Sequence, residues 1–162
     1  MVREALIAAR LGSSAMHDPT EGGVRAGIHE VAFASRVRLD VDRDRIPVRE
    51  ETAALCRHFG IDPLGLIGPR ALLVTVPAAR VARLRLAWAR QGVEGHLIGS
   101  VRIGHGVRAT HRGRRVAFPW RARDEIITAL ERDAARSSRR RARVTSARLT
   151  SGRAAAMGRL PA

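Results

Sequence analysis

The sequence predicts an α+β fold, and three observations carry that prediction. Stretches with apolar residues at helical spacing alternate with stretches of period-two or continuous apolar character. A hairpin pattern closes the series near the end, which suits an α+β sandwich better than a doubly wound sheet. The 162 residues, 45% of them hydrophobic, suffice for one domain with a real core, and with only three Phe and two Trp that core must be aliphatic.

Taken in order, residues 3–11 form a short helix that Gly12-Ser13-Ser14 ends. Ala15-Met16-His17 leads into a turn at Asp18-Pro19-Thr20-Glu21-Gly22-Gly23, and after it Val24, Ile28, Val31 and Ser35 recur at helical spacing with Gly27 and Ala32 on the same side. Val37, Leu39 and Val41 alternate with Arg36, Arg38, Asp40 and Asp42, as in a half-buried strand. Ile46-Pro47-Val48 is extended, because Pro biases the residue before it away from helix. A helix over 49–59 turns Thr52, Leu55, Cys56 and Phe59 inward and is capped by Gly60, and Ile61-Asp62-Pro63-Leu64 is a turn or short helix.

The continuous apolar run over 71–76 reads as a central strand that Pro77 stops. A helix over 78–91 faces Val81, Leu84 and Trp88 inward, and residues 93–103 supply a strand around Leu97, Ile98 and Val101. Residues 107–109 and 115–118, separated by His111-Arg112-Gly113, make the hairpin. A last helix over 123–136 carries Ile126, Ile127 and Leu130. The domain is expected over 1–136. Residues 137–162, rich in Arg, Ser, Thr, Ala and Gly, form a tail that cannot bury enough apolar surface to order itself.

The formal net charge of +15 comes entirely from Arg, with no Lys, a bias explained more simply by a GC-rich coding background than by selection for a cationic surface. Eight of the 30 Arg lie beyond residue 135, where no acid occurs. Counterion release gives such a tail nonspecific affinity for nucleic acid, but there is no base-reading motif and little aromatic interleaving. One cysteine, Cys56, excludes an internal disulfide or a multi-Cys metal cluster and suits a reducing compartment. No membrane span or signal-type apolar segment is present, so a cytoplasmic location is expected.

The chemistry concentrates in Asp18–Gly23, where an acid, a Pro, a hydroxyl and two glycines stand just before a helix. Backbone N–H groups at a helix N-terminus favour an anion, so a phosphate site is the functional reading, with Gly22 and Gly23 as amide donors and Asp18 and Thr20 orienting ligand, metal or water. The structural alternative is that Asp18 or Thr20 caps the helix. His17 could bind substrate or move a proton, or simply hydrogen-bond within the loop; Glu30 could reach the site or be solvated or paired. His96, His105 and His111 are too scattered for a metal site, and none is expected. Cys56 reads as a small buried hydrophobe.

Four of these segments, in order and with their loops, carry a resemblance: the run from Ala15 to Val24, Ile28-His29-Glu30-Val31-Ala32, Ile46-Pro47-Val48, and Phe59-Gly60-Ile61-Asp62-Pro63-Leu64-Gly65-Leu66-Ile67. They resemble the C-terminal domain of AIR synthase-related proteins, nearest to the hydrogenase expression/formation, or HypE-like, branch. The run over 71–76, Ile98-Gly99-Ser100-Val101 and Phe118-Pro119-Trp120 keep the family's order, so the resemblance covers roughly residues 3–130.

It implies a PurM C-terminal-domain-like α+β sandwich, a mixed or antiparallel sheet packed with helices. It also implies a substrate- and phosphate-facing glycine turn at His17, Asp18, Thr20, Gly22 and Gly23. ATP and Mg2+ are then expected only together with the family's N-terminal domain, which is not expected within this chain because only residues 1–14 precede the motif. Pairing with a separate N-terminal domain, or a homodimer through the face that domain would cover, follows. The branch's carbamoyl carrier, a C-terminal cysteine, has no counterpart, and Gly68-Pro69-Arg70 stands where the branch carries Asn-Glu-Gly. The expectation is a half-site that is not catalytic alone; the other readings are a stand-alone interaction domain and a basic nucleic-acid-binding protein.

Overall fold

A computed structural model describes residues 2–67, 71–121, 124–135 and 137–138. Two compact units emerge, residues 1–126 and 127–162. The first holds helices α1 (Val2–Arg10), α2 (Gly23–Ala34), α3 (Glu50–Phe59) and α4 (Val81–Ala89) and strands β1 (Ala15–His17), β2 (Arg38–Asp42), β3 (Leu73–Thr75), β4 (Gly99–Arg102), β5 (Gly106–His111) and β6 (Arg114–Val116). The described residues of the second unit, 127–135 and 137–138, are helical. Residues 139–162, and with them nearly all of the expected tail, lie outside the described residues.

Two sheets form. β4-β2-β5-β6 is mixed: β2 runs antiparallel to β4 but parallel to β5, and β5 turns back into β6 as the expected hairpin. β1 and β3 form a separate antiparallel pair, with Ala15 opposite Thr75 and His17 opposite Leu73. The alternation read in β2 is met: Leu39 and Val41 are buried, while Arg38, Asp40 and Asp42 are half-buried on the other face. Ile28, Val31 and Ala32 of α2 pack with Leu39, Val41 and Ala109 of the four-stranded sheet, and Ile46, Leu64 and Phe118 close the rim of this aliphatic core. α1 and α4 pack together through Ala8 and Leu84, and the Trp88 indole N–H donates to the Glu4 carbonyl (3.0 Å).

Several expectations are corrected. Residues 15–17, to which the sequence assigns no element, form β1, because three residues carry too little periodicity to declare a strand without their β3 partner. The run over 71–76 yields only Leu73–Thr75, paired on one side and half-exposed, so it is not a central strand. The strand expected over 93–103 is confined to Gly99–Arg102, with Leu97 and Val101 exposed. On α3 the inward arc is centred on Cys56 between Thr52 and Ala53; Leu55, about 100° round the helix, and Phe59 are exposed.

Candidate functional site

β1 ends at His17, the loop 18–22 turns over, and α2 begins at Gly23. Gly22 and Gly23 both adopt the left-handed conformation (φ 68° and 65°), which only glycine occupies cheaply. Gly23 is required for a second reason. A Cβ there would lie 2.2 Å from the Leu66 carbonyl oxygen and 2.7 Å from that of Leu64, so the segment after Asp62-Pro63 lies directly over the helix start. Gly27, one turn on, lets α2 approach Pro19, His17 and Leu73 in the same way.

Neither Asp18 nor Thr20 caps the helix: Gly22 occupies the N-cap position without a side-chain bond, and the first turn holds no acid. The backbone closes the turn instead, Gly23 N–H donating to the Thr20 carbonyl (3.4 Å) and Ala26 N–H to that of Gly22 (3.3 Å). The first turn of α2 thus carries no acidic side chain, while Glu21 stands just before the N-cap and the Leu64 and Leu66 carbonyls lie over Gly23. Asp18 and Thr20 are exposed, Pro19 is fully buried beneath them, and Gly22 and Gly23 are buried. The five residues thus divide: His17, Asp18 and Thr20 present side chains outward, whereas the two glycines are enclosed.

His17 has a partner that spacing left open. Its Nε2 lies 2.6 Å from Glu30 Oε2, the carboxylate accepting from the ring N–H across the loop and the second turn of α2. Both groups remain partly exposed, so the pair sets the ring's orientation rather than contributing much stability.

Behind the loop lies an ionic cluster that sequence reasoning missed. Arg25, only 3% exposed, donates to Asp62 (3.1 Å) and Glu125 (2.8 Å), while its Nε has no hydrogen-bond partner among the described residues. Asp62 also accepts from Arg43 and from the Leu64 N–H, so the expected Asp-Pro turn doubles as the counter-ion of α2. Arg43 in turn stacks over Phe118 at 5.6 Å, and His29 Nε2 donates to the Phe118 carbonyl. The available signal was Gly23, Ala26 and Gly27 around Arg25: small residues on several sides of one helix turn mean that the helix is enclosed there. Cys56 is buried and its thiol is pushed up, first by desolvation and then by the carboxylates of Asp62 and Glu125.

Among the described residues, no cluster of three or more His, Cys, Asp or Glu could hold a metal ion. The exposed side chains of the loop are the carboxylates of Asp18 and Glu21 and the Thr20 hydroxyl, with the partly exposed His17 imidazole beside them. A Mg2+ ion there would take most of its octahedral oxygen shell from waters and a bound phosphate. No described helix is long and apolar enough to cross a membrane.

Comparison with known proteins places these features in context. Residues 1–112 match the family model for the AIR synthase related protein, C-terminal domain. The carbamoyl dehydratase HypE of Rhizobium leguminosarum bv. viciae is 40% identical over 88 residues, 53% of this chain and 25% of that protein. That of Rhodobacter capsulatus is 36% identical over 116 residues, 70% of this chain and 33% of its own length. The crystal structure of Escherichia coli HypE, a hydrogenase maturation protein, superposes with a TM-score of 0.60 at 27% identity, covering 67% of this chain and 36% of that one. A structure of HypE in complex with ATP gives 0.58 at 27% identity, covering 68% and 37%. The chain thus spans a quarter to a third of these curated relatives.

Proposed function

We propose, from the premise that the chain belongs to the AIR synthase-related protein family through its C-terminal domain, that it supplies one half of a nucleotide-dependent site. The other half would come from a domain of the kind that fills the rest of its HypE relatives. The observation that carries this reading is the loop His17–Gly23: an uncapped helix start with His17, Asp18 and Thr20 projecting from it, in a chain whose relatives extend well beyond the matched region.

In this reading the Thr20 hydroxyl donates to a phosphate or substrate oxygen. His17, oriented by Glu30, presents its remaining ring nitrogen for a hydrogen bond or a proton. Gly22 and Gly23 shape the turn and bring the α2 dipole behind it. Asp18, itself anionic, needs a cation beside it to face phosphate, and Mg2+ held by the complementary domain would provide one. ATP, when bound, supplies the phosphoryl group; what this chain does is orient and close. Cys56, buried with a raised thiol pKa, does not serve as a thiolate carrier.

The test mixes the chain with the N-terminal part of the Rhizobium leguminosarum relative and titrates Mg2+–ATP calorimetrically. The mixture is expected to bind at least fivefold more tightly than either piece. Thr20→Ala and His17→Ala each remove most of that gain while circular dichroism is unchanged. Affinity equal to that of the N-terminal part alone overturns the reading.

A further inference from the structure

β4 pairs with β2 and with no other strand among the described residues, so it is an edge of the four-stranded sheet. The Asp42 N–H donates to the Ile98 carbonyl (2.8 Å), and the register that sets Val41 opposite Gly99 sets Asp42 opposite Ile98. Hydrogen-bonded pairs alternate in an antiparallel ladder. Ile98, Ser100 and Arg102 therefore direct their backbone groups to β2, while Gly99, Val101 and Ile103 direct theirs outward. All four residues of β4 are exposed, Val101 being 46% accessible, and Ile103, just past its end, is 99% accessible. An edge of this kind is a template for another strand.

The two faces flanking that edge differ in chemistry. The face toward α2 continues the aliphatic core, and its exposed margin carries Val101. The opposite face carries Arg38, Arg102, Arg108 and Arg115 beside Asp40. Asp40 is already bonded by Arg38 (2.9 Å) and lies 3.9 Å from Arg102. These arginines, Arg38 foremost, hold its carboxyl below the usual carboxylate range. The guanidinium groups of Arg108 and Arg115 make no ion pair or hydrogen bond among the described residues, and both line a groove of about 530 Å3 that also takes in Arg45 and Leu97.

We infer that β4 accepts an added strand from a partner protein in which acidic and apolar residues alternate. Successive side chains of a strand point to opposite faces. A period-two acidic pattern would therefore lay its carboxylates along the arginine face and its apolar residues beside Val101, while its backbone pairs with Gly99, Val101 and Ile103. A second copy of this chain is a poor occupant: pairing β4 with itself sets Arg102 of both copies on one face, and each copy carries a net charge of +15. Single-stranded RNA is also disfavoured, because no aromatic residue lines the groove for a base to stack on.

Fluorescence anisotropy of the full chain with a labelled nine-residue peptide of alternating Glu and Val tests this. Oligouridylate serves as the second probe. Val101→Pro removes an outward N–H without touching the bonds of Ser100 and Arg102 to β2. Arg102→Glu with Arg115→Glu reverses charge and leaves the backbone alone. Each is expected to weaken the peptide at least tenfold, with circular dichroism unchanged for the charge variant and oligouridylate affinity falling less than threefold for Val101→Pro. Peptide binding unaltered by the charge variant, or oligouridylate weakened by Val101→Pro as much as the peptide is, overturns the inference.

Discussion

Arg25 ties together three parts of the chain that lie far apart in sequence: α2, the Asp62 turn and the segment ending at Glu125. Its guanidinium also fixes Gly65, where a Cβ would lie 2.4 Å from Arg25 Nη2 and 2.6 Å from Glu125 Cγ. A buried ion pair adds little over a well-packed apolar pair, yet removing one partner leaves the other buried without its charge. Arg25→Met is therefore expected to lower stability by about 3 kcal/mol in urea denaturation, with Arg121 only partly neutralising Glu125 from the surface. Adding Glu125→Leu should recover most of that loss. A double variant no more stable than Arg25→Met would show that the pair matters for more than mutual compensation. At this scale the turn over Asp18–Gly23 was legible because turn chemistry is local. The pairing of His17 with Glu30 and of Arg25 with Asp62 was not, because it depends on which helix face meets which loop.

The ends of two helices show how the same backbone demand is met differently. α3 stops at Gly60 in the left-handed conformation, with the Ile61 N–H reaching back to the Cys56 carbonyl (3.0 Å), as the sequence led one to expect. α2 stops with the same bond from Val37 to Ala32 (3.1 Å), but the left-handed residue is Arg36 (φ 52°). Arg36→Gly removes the Cβ strain there and is expected to stabilise the domain by about 0.5–1 kcal/mol, read as a higher urea midpoint; a lower midpoint would mean that the Arg36 side chain contributes more than the strain costs. The amphipathic elements α2 and β2 were readable because their patterns extend over enough residues. β1 and β3 were not, since three-residue strands exist only through each other and an apolar run such as 71–76 does not reveal how many neighbours it has. The shortening of the 93–103 strand to β4 has the same origin: Leu97, Val101 and Ile103 are apolar at an open edge, and hydrophobicity alone does not distinguish an edge from an interior.

For the whole molecule, the family and the α+β architecture followed from the order of short segments, above all Asp18–Gly23 and Gly60–Leu64. The structure gives that order a physical basis, because the second segment lies over the glycines of the first. The same contact accounts for one thing the motif alone leaves undecided: the two glycines are enclosed, while His17, Asp18 and Thr20 face outward. The proposed reading is that this set orients a ligand. The central claim is accordingly one of complementation. It is tested most directly by Mg2+-dependent ATP turnover, measured for the chain, for the N-terminal part of a HypE relative, and for their equimolar mixture. The account predicts turnover in the mixture at least tenfold above the sum of the separate pieces and its loss with Thr20→Ala. Turnover by this chain alone, or a mixture no faster than its parts, would contradict it.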